Sequence, residues 1–553
     1  MKWIIRIVGA LVLVAVLMLM GLLLLPADRI AAIAGDQLRK LTGREVTISG
    51  DVQMTFWPVL GVSAEGLEVG NADWAKEGAM LSTRNAAIGV DAMSLLRGDI
   101  RITNIRAESP TIRLEARKDG RASWLFTDAG GKAQIETETA PTRAPRSFSI
   151  EKLEITDATL IYDAEGADLV RYEGVDLALD WPDRGGAAEI RAAIRPAGQV
   201  VRVDATVERF AGFLAGDVQP LSFTLAANGG DLTLKGRGAL DGSVAGKVGL
   251  KTRDTGAFLA ALGAGGADLP EGLGRRANVT TDLTLTPDRR LALRDLVADL
   301  GGNTLRGAAD IELNGTPQVN AQLSAGALDL RSLTGGGGES GGQSGSTGWS
   351  RAPIDASGLA AFNGAIALSA DSVDLGALTF GATRALVTNE SSRMVFGLRE
   401  VRAYDGVLTG EFVMNNRSGL SVGGNLRAAG IALNPLLRDL AGLTRFTGDA
   451  TVELSFLGVG QSVDAIMRSL SGKGLIAVGR GSIEGIDLDD LLGNFDVQGG
   501  TTVFDSANAT FAMQGGVARN DDLRLVLPNF EATGEGEVNL GAQTLDYTFT
   551  PKA

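Results

Sequence analysis

Three carboxylates stand close together at Asp487, Asp489 and Asp490, and in this 553-residue chain they come nearest to a set that could do chemistry. A cluster of that kind can hold a metal ion or divide acid and base roles between two groups. It can equally be a helix start, with Asp487 as N-cap and acids in the first turn where the helix dipole favours negative charge. Glycines at 472, 474, 479 and 481 have the look of a phosphate loop. No G-x-x-x-x-G-K-[ST] runs through them and no G-x-G-x-x-G joins a strand to a helix, so they read as turn glycines. The chain contains no His and no Cys. That removes the imidazole base, the thiol nucleophile, the Cys/His zinc site and the disulfide framework. There is no G-x-S-x-G elbow, no ordinary serine triad is available without His, and no carboxylate pair is singled out for glycoside hydrolysis. The expectation is a protein that is not an enzyme, with no catalytic residue, no metal and no cofactor.

What remains is bulk physical character. Gly is unusually frequent at 75 residues, while 44% of the chain is hydrophobic, too much for wholesale disorder. Abundant Gly with adequate apolar content and few aromatics suits many short strands joined by tight turns. The formal charge of −14, with no Lys/Arg-rich run, excludes nucleic acid as an expected partner. Absence of Cys fits an oxidising compartment, where a stray thiol is a liability.

The apolar face begins at the N-terminus. Residues 4–25 carry no charge except Arg6, and Ile4, Ile7, Leu11, Leu17 and Leu25 mark a stretch long enough for the ~20 residues that cross a bilayer. Lys2 and Arg6 lie on its N-terminal side, which predicts a single-pass membrane anchor over 1–26, with the N-terminus cytoplasmic and the body exported. A cleaved signal peptide is the rival, with Ala32-Ile33-Ala34 as a small-x-small site. The apolar run exceeds the roughly 7–15 residues of a signal core, and that triplet lies well beyond it.

Beyond the anchor, Ile30, Ile33, Ala34, Gln37, Leu38 and Leu41 have helical spacing, predicting an amphipathic helix over 27–41. Strand patterns then take over. Val201, Val203, Ala205 and Val207 alternate with polar residues, as do Leu221, Phe223 and Leu225, Leu283 and Leu285, Val452, Leu454 and Phe456, and Leu545, Tyr547 and Phe549. Period-two alternation gives sheets with one apolar and one polar face. Asn228-Gly229-Gly230, Asp241-Gly242 and Asn314-Gly315 separate such runs and predict an antiparallel meander of hairpins. Short helices are expected over 256–262, 435–440 and 463–470, the last capped by Ser462. Polar stretches divide the body into an N-terminal β region with the amphipathic helix (27–126), a linker (127–146), a middle β region (147–333), a Gly/Ser linker (334–348) and a C-terminal β region (349–553).

In order along the chain stand Thr42-Gly43-Arg44-Glu45-Val46, Trp57-Pro58-Val59-Leu60-Gly61, Asn71-Ala72-Asp73-Trp74, Leu95-Leu96-Arg97-Gly98-Asp99-Ile100, Gly120-Arg121-Ala122-Ser123-Trp124 and Phe148-Ser149-Ile150-Glu151-Lys152-Leu153. Near the C-terminus follow Gly458-Val459-Gly460-Gln461-Ser462, Gly485-Ile486-Asp487-Leu488 and Gly534-Glu535-Gly536-Glu537-Val538. This order resembles the AsmA family of bacterial envelope proteins, whose pattern is expected to continue past Thr550-Pro551-Lys552-Ala553. The resemblance implies an inner-membrane-anchored periplasmic protein, similar to bridge-like lipid-transfer proteins, with an elongated, curved antiparallel β-groove. It implies a part in outer-membrane biogenesis: carrying phospholipid acyl chains along the groove or, alternatively, serving as a non-enzymatic scaffold for outer-membrane or envelope proteins. Alternation itself looks the same whether an apolar face packs on a second sheet or stays open; the resemblance favours the open face. The candidate lining is then Val201, Val203, Leu221, Phe223, Leu225, Leu283, Leu285, Val452, Leu454 and Phe456.

Overall fold

The computed structural model describes residues 32, 36, 39, 43–55, 61–76, 78–91, 102–118, 121, 123, 151–166, 169–183, 185–265, 269–333, 348–441, 443–485, 500–528 and 531–552. The anchor positions Ile4, Ile7, Leu11, Leu17 and Leu25, the acidic cluster Asp487, Asp489 and Asp490, and the stretches 127–146 and 334–347 lie outside these residues. Among the described residues, no helix is long and apolar enough to cross a membrane. Within the expected amphipathic segment, Ala32, Asp36 and Arg39 are helical, with Arg39 Nη1 3.8 Å from Asp36 Oδ1.

The fold is mainly β and divides into two compact units, Met1–Gly246 with Gly256–Ala267, and Lys247–Thr255 with Asp268–Ala553. In the first, Val46–Ile48 and Val52–Thr55 both pair with Gly61–Val69, which pairs in turn with Leu81–Val90 and that with Ile102–Glu108. Lys152–Ala164 joins parallel to Ile102–Glu108 and Thr111–Ala116. An antiparallel meander follows through Val170–Asp180, Ala188–Ile194, Val201–Val207, Gln219–Ala227 and Gly230–Gly238. The Asn228-Gly229 signal closes the last of these hairpins with Ala227 opposite Gly230 and Gly229 at φ 91°.

The second unit runs antiparallel from Ala277–Leu285 through Arg290–Asp299 and Thr304–Glu312 to Gln318–Asp329. Asn363–Asp374 then pairs parallel to Gln318–Asp329, and the meander resumes, reaching Glu531–Asn539 and Thr544–Lys552. The expectation of an uninterrupted hairpin meander is therefore corrected at two places. A tight hairpin reverses the chain, so parallel neighbours require a long connection. Both parallel junctions fall where the sequence places a polar stretch, and the strands flanking each stretch are neighbours in one sheet.

The three expected helices stand at Thr255–Ala261, Leu433–Ala441 and Val463–Ser469. Ser462 accepts a hydrogen bond from the Ala465 amide at 3.2 Å, as a cap should. A fourth, Phe210–Leu214, has too short a pattern to register in the sequence.

Strand glycines have a steric cause. Gly410 sits mid-strand at φ 122°, and a Cβ there would lie 2.1 Å from the Asn425 carbonyl oxygen of the neighbouring strand. No side chain fits that approach without moving the backbone. Gly410→Ala is expected to destabilise the protein by about 2 kcal/mol or more. Gly358→Ala, where nothing lies within 4 Å, is expected to be near neutral. Urea midpoints of the two variants provide the comparison.

Candidate functional site

The register brings the alternating residues into continuous rows. In the first unit, one row crosses nine strands: Ala64, Ala86, Ala107, Ile155, Leu177, Ala192, Val203, Leu225 and Leu232 are successive cross-strand partners. Beside it runs Leu153, Leu179, Ile190, Ala205, Phe223 and Leu234. The first four residues of the longer row are buried; from Leu177 onward every member is only half-buried. Cross-strand neighbours flank these residues, and their side chains stay partly exposed.

The second unit repeats the arrangement. Leu283, Leu293, Ala309, Ala321, Ile366, Val387, Phe396, Phe412, Gly424 and Phe456 are successive partners across ten strands. Leu323, Leu368, Ala385, Leu398, Gly410, Leu426 and Leu454 form the adjacent row. Thus Leu283 and Phe456, far apart in sequence, share one row. Glycine shapes this surface as well. Phe412 and Phe456 meet across Gly424 with ring centroids 6.3 Å apart, and Phe396 lies 5.9 Å from Phe412. The Phe511 ring lies over Gly474, where a Cβ would come within 2.2 Å of it.

The face is closed locally. In the first unit, the Phe210–Leu214 helix packs on Val207, Ala188 and Leu221, with Trp181 edge-on to Phe210 at 5.1 Å. In the second, Leu433 and Leu437 of the Leu433–Ala441 helix join Phe504, Ala450 and Val452 in a packed cluster. Of the expected lining residues, Val201 shares the face but is fully buried, and Leu221 and Val452 abut these closed patches. Val203, Phe223, Leu225, Leu283, Leu285, Leu454 and Phe456 are half-buried.

The opposite face carries the charge. Cross-strand ion pairs include Arg106–Glu154 at 2.9 Å and Arg519–Glu537 at 2.7 Å. An open concavity of about 980 Å³ lies on this side of the second unit, lined by Glu453, Lys473, Thr510, Arg519, Glu537 and Asp546 among others. The Thr510 hydroxyl and amide hold the nearby Asp522 carboxyl below its ordinary range. At the end of the Gln318–Asp329 strand, the Arg331 guanidinium holds Asp329 down at about 2. These are surface interactions that keep carboxylates ionised, and none sits among the apolar rows. Among the described residues, no group of His, Cys, Asp or Glu could hold a metal ion.

The first unit is also where likeness to other proteins is found. Residues 1–239 match the model of the AsmA family. No curated protein and no solved structure matches the chain. The AsmA match ends one residue past the Gly230–Gly238 strand, so it lies within the first unit and takes in its half-buried row.

Inside that AsmA region is a polar centre that motif reading missed. Glu115 is 1% exposed, and its carboxylate accepts from Asn71 Nδ2 at 3.0 Å and from the Lys76 amide at 3.0 Å, with Arg117 at 3.9 Å. The loop so held presents Trp74 beneath the guanidinium groups of Arg117 and Arg121, 5.6 and 5.2 Å from its ring. Asn71 and Trp74 stand out in the sequence; Glu115 is one acid among many in an alternating strand, and only the fold reveals its burial. Glu115→Ala removes the acceptor of two part-buried hydrogen bonds, and a loss of about 1–3 kcal/mol is expected. Glu115→Gln retains an acceptor and should lose less. Chemical unfolding of both variants checks the order.

Proposed function

We propose that this chain is an inner-membrane-anchored periplasmic protein that carries phospholipid acyl chains on the apolar face of its sheets, in the service of outer-membrane biogenesis. The observation that carries the reading is the continuous row running from Leu283 to Phe456, half-buried at every member but the buried Ala309, with its half-buried counterpart from Leu177 to Leu232. The part of an apolar face left exposed disfavours contact with water by about 25 cal/mol for each Å². Each methylene of a lipid tail suffers likewise in water, by roughly 0.8 kcal/mol, or about 12 kcal/mol for a sixteen-carbon chain. Laying one on the other relieves both. Rows that cross strand after strand without an intervening charge give a tail a succession of near-equivalent positions, which is what movement along a surface requires. No covalent step, metal or cofactor enters such a role. The AsmA likeness of residues 1–239 and the apolar, uncharged residues 7–25 support placement at the inner membrane with the body outside the cytoplasm.

The full chain, extracted gently and purified, is expected to retain phospholipid detectable by mass spectrometry. Leu285→Asp puts a charge on the face without removing a core residue, since Leu285 is only half-buried. It should deplete the bound lipid while leaving the unfolding midpoint within about 1 kcal/mol of the parent. Lipid content unchanged in this variant, or absent from the parent, defeats the proposal. Because the chain has no His and the rows carry no ionisable side chain, lipid retention should be flat between about pH 5 and pH 8. Retention assayed across that range checks the point.

A further inference from the structure

The residues that lead into Asn363–Asp374 are tied to turns many strands away from it. The Trp349 indole donates to the Leu540 carbonyl at 2.6 Å, the Asp464 amide to the Ser350 carbonyl at 2.9 Å and the Ile354 amide to the Gln461 carbonyl at 2.8 Å. Farther along, Asn389 Nδ2 donates to the carbonyls of Leu359 at 2.8 Å and Phe362 at 2.7 Å, and the Asn363 amide donates to the Pro317 carbonyl at 2.8 Å. Leu540, Gln461 and Pro317 stand in connections between strands, and the antiparallel order of those strands puts all three at one rim of the second unit's sheet. Residues 349–363 thus lie along that rim as a strap.

The strap is held unequally. At its Asn363 end Leu359 is buried, Asn389 is 2% exposed, and Asn363 Oδ1 also accepts from the Ser391 amide at 2.8 Å. From Trp349 to Gly358 no residue is buried. Arg351 comes only within 3.8 Å of Asp464, which already accepts from Arg468 Nε at 3.0 Å, and exposed pairs of this kind add little. Segments with little burial and exposed hydrogen bonds open first. Leu420, only 1% exposed, sits between two of the looser attachments. Its carbonyl accepts from the Gly460 amide, next to the Gln461 that holds Ile354, and four residues before it Asn416 Nδ2 lies 3.5 Å from the Ala356 carbonyl. Val422, two residues on and on the same side of the strand, is the partner of Met414 and Gly458, beside the row that contains Phe412 and Phe456.

We infer that residues 349–363 work as a hinged latch. The Asn389 end stays fast and the Trp349 end releases, so that the rim at Leu420 opens onto the apolar face while the sheet stays folded. The inference concerns the rim alone and does not rest on the lipid proposal.

The test uses the full chain, whose lack of Cys makes one introduced thiol a unique reporter. Leu420→Cys reports on the rim, and Val401→Cys, buried in the same sheet near its other rim, reports on unfolding. A water-soluble maleimide is expected to label position 420 about tenfold faster than position 401, or better. Trp349→Phe removes the indole donor and keeps an aromatic ring. It should speed labelling at 420 by about threefold to tenfold, the scale of one hydrogen bond, and leave 401 unchanged. In the Cys-free chain, hydrogen exchange should be faster over 349–356 than over 359–363, and Trp349→Phe should quicken only the former. Equal labelling of the two positions, no response at 420 to Trp349→Phe, or a uniform rise in labelling or exchange would each overturn the inference.

Discussion

The constraint on which everything else depends is that the strands share one apolar face, and over much of that face the side chains stay half-buried. A strand whose side chains alternate must hide one set from water. Most β domains do so by laying a second sheet on the first, and residues on both inner faces then become fully buried. Here the rows from Leu177 to Leu232 and from Leu283 to Phe456 stay half-buried over most of their length. Full burial is reached in patches, among them those where the Phe210–Leu214 helix or the Leu433–Ala441 helix sits on the strands and the one formed by Val46, Leu67, Val69 and Ala86. The fold packs fully in local patches, and the rest of the face stays half-buried.

Two devices make such a face workable. Glycine within strands lets backbones approach closely, as at Gly410, and lets an aromatic ring of a neighbouring strand lie over it, as Phe511 does over Gly474. The unusual Gly content thus has a structural explanation beyond turns. The second device is segregation of charge. Cross-strand ion pairs such as Arg106–Glu154 and Arg519–Glu537 stay on the opposite face, so the rows are free of charge.

Much of this was legible in the sequence, for a definite reason. A period of two survives any context, so the strands around Val201, Leu221, Leu283, Val452 and Leu545 could be placed, and so could the fact that each had one apolar side. Ser462 announced its helix because capping is local chemistry. What could not be read was long-range pairing. Nothing local places Leu283 in register with Phe456, or makes the strands flanking the polar stretches parallel neighbours. Some turns were also silent. Tyr404-Asp405 (φ 47° and 66°) and Ser391-Ser392 (φ 48° and 64°) close hairpins in left-handed conformations without glycine. At the first, the Tyr404 hydroxyl donates to Asp439 at 3.1 Å, a tertiary contact that no dipeptide signal contains. Burial was the other silent quantity: Val201 and Val203 look alike in the sequence, yet one is fully covered and the other half open.

The central claim, that hydrocarbon occupies the uncovered face, is tested most directly by site-specific photocrosslinking in living cells. A photoreactive amino acid at Leu454 lies on the apolar row, and one at Ser455 lies on the opposite face of the same strand. Crosslinks to phospholipid at position 454 and none at 455 are the predicted result. Equal labelling of both positions, or protein adducts in place of lipid at 454, would contradict the account.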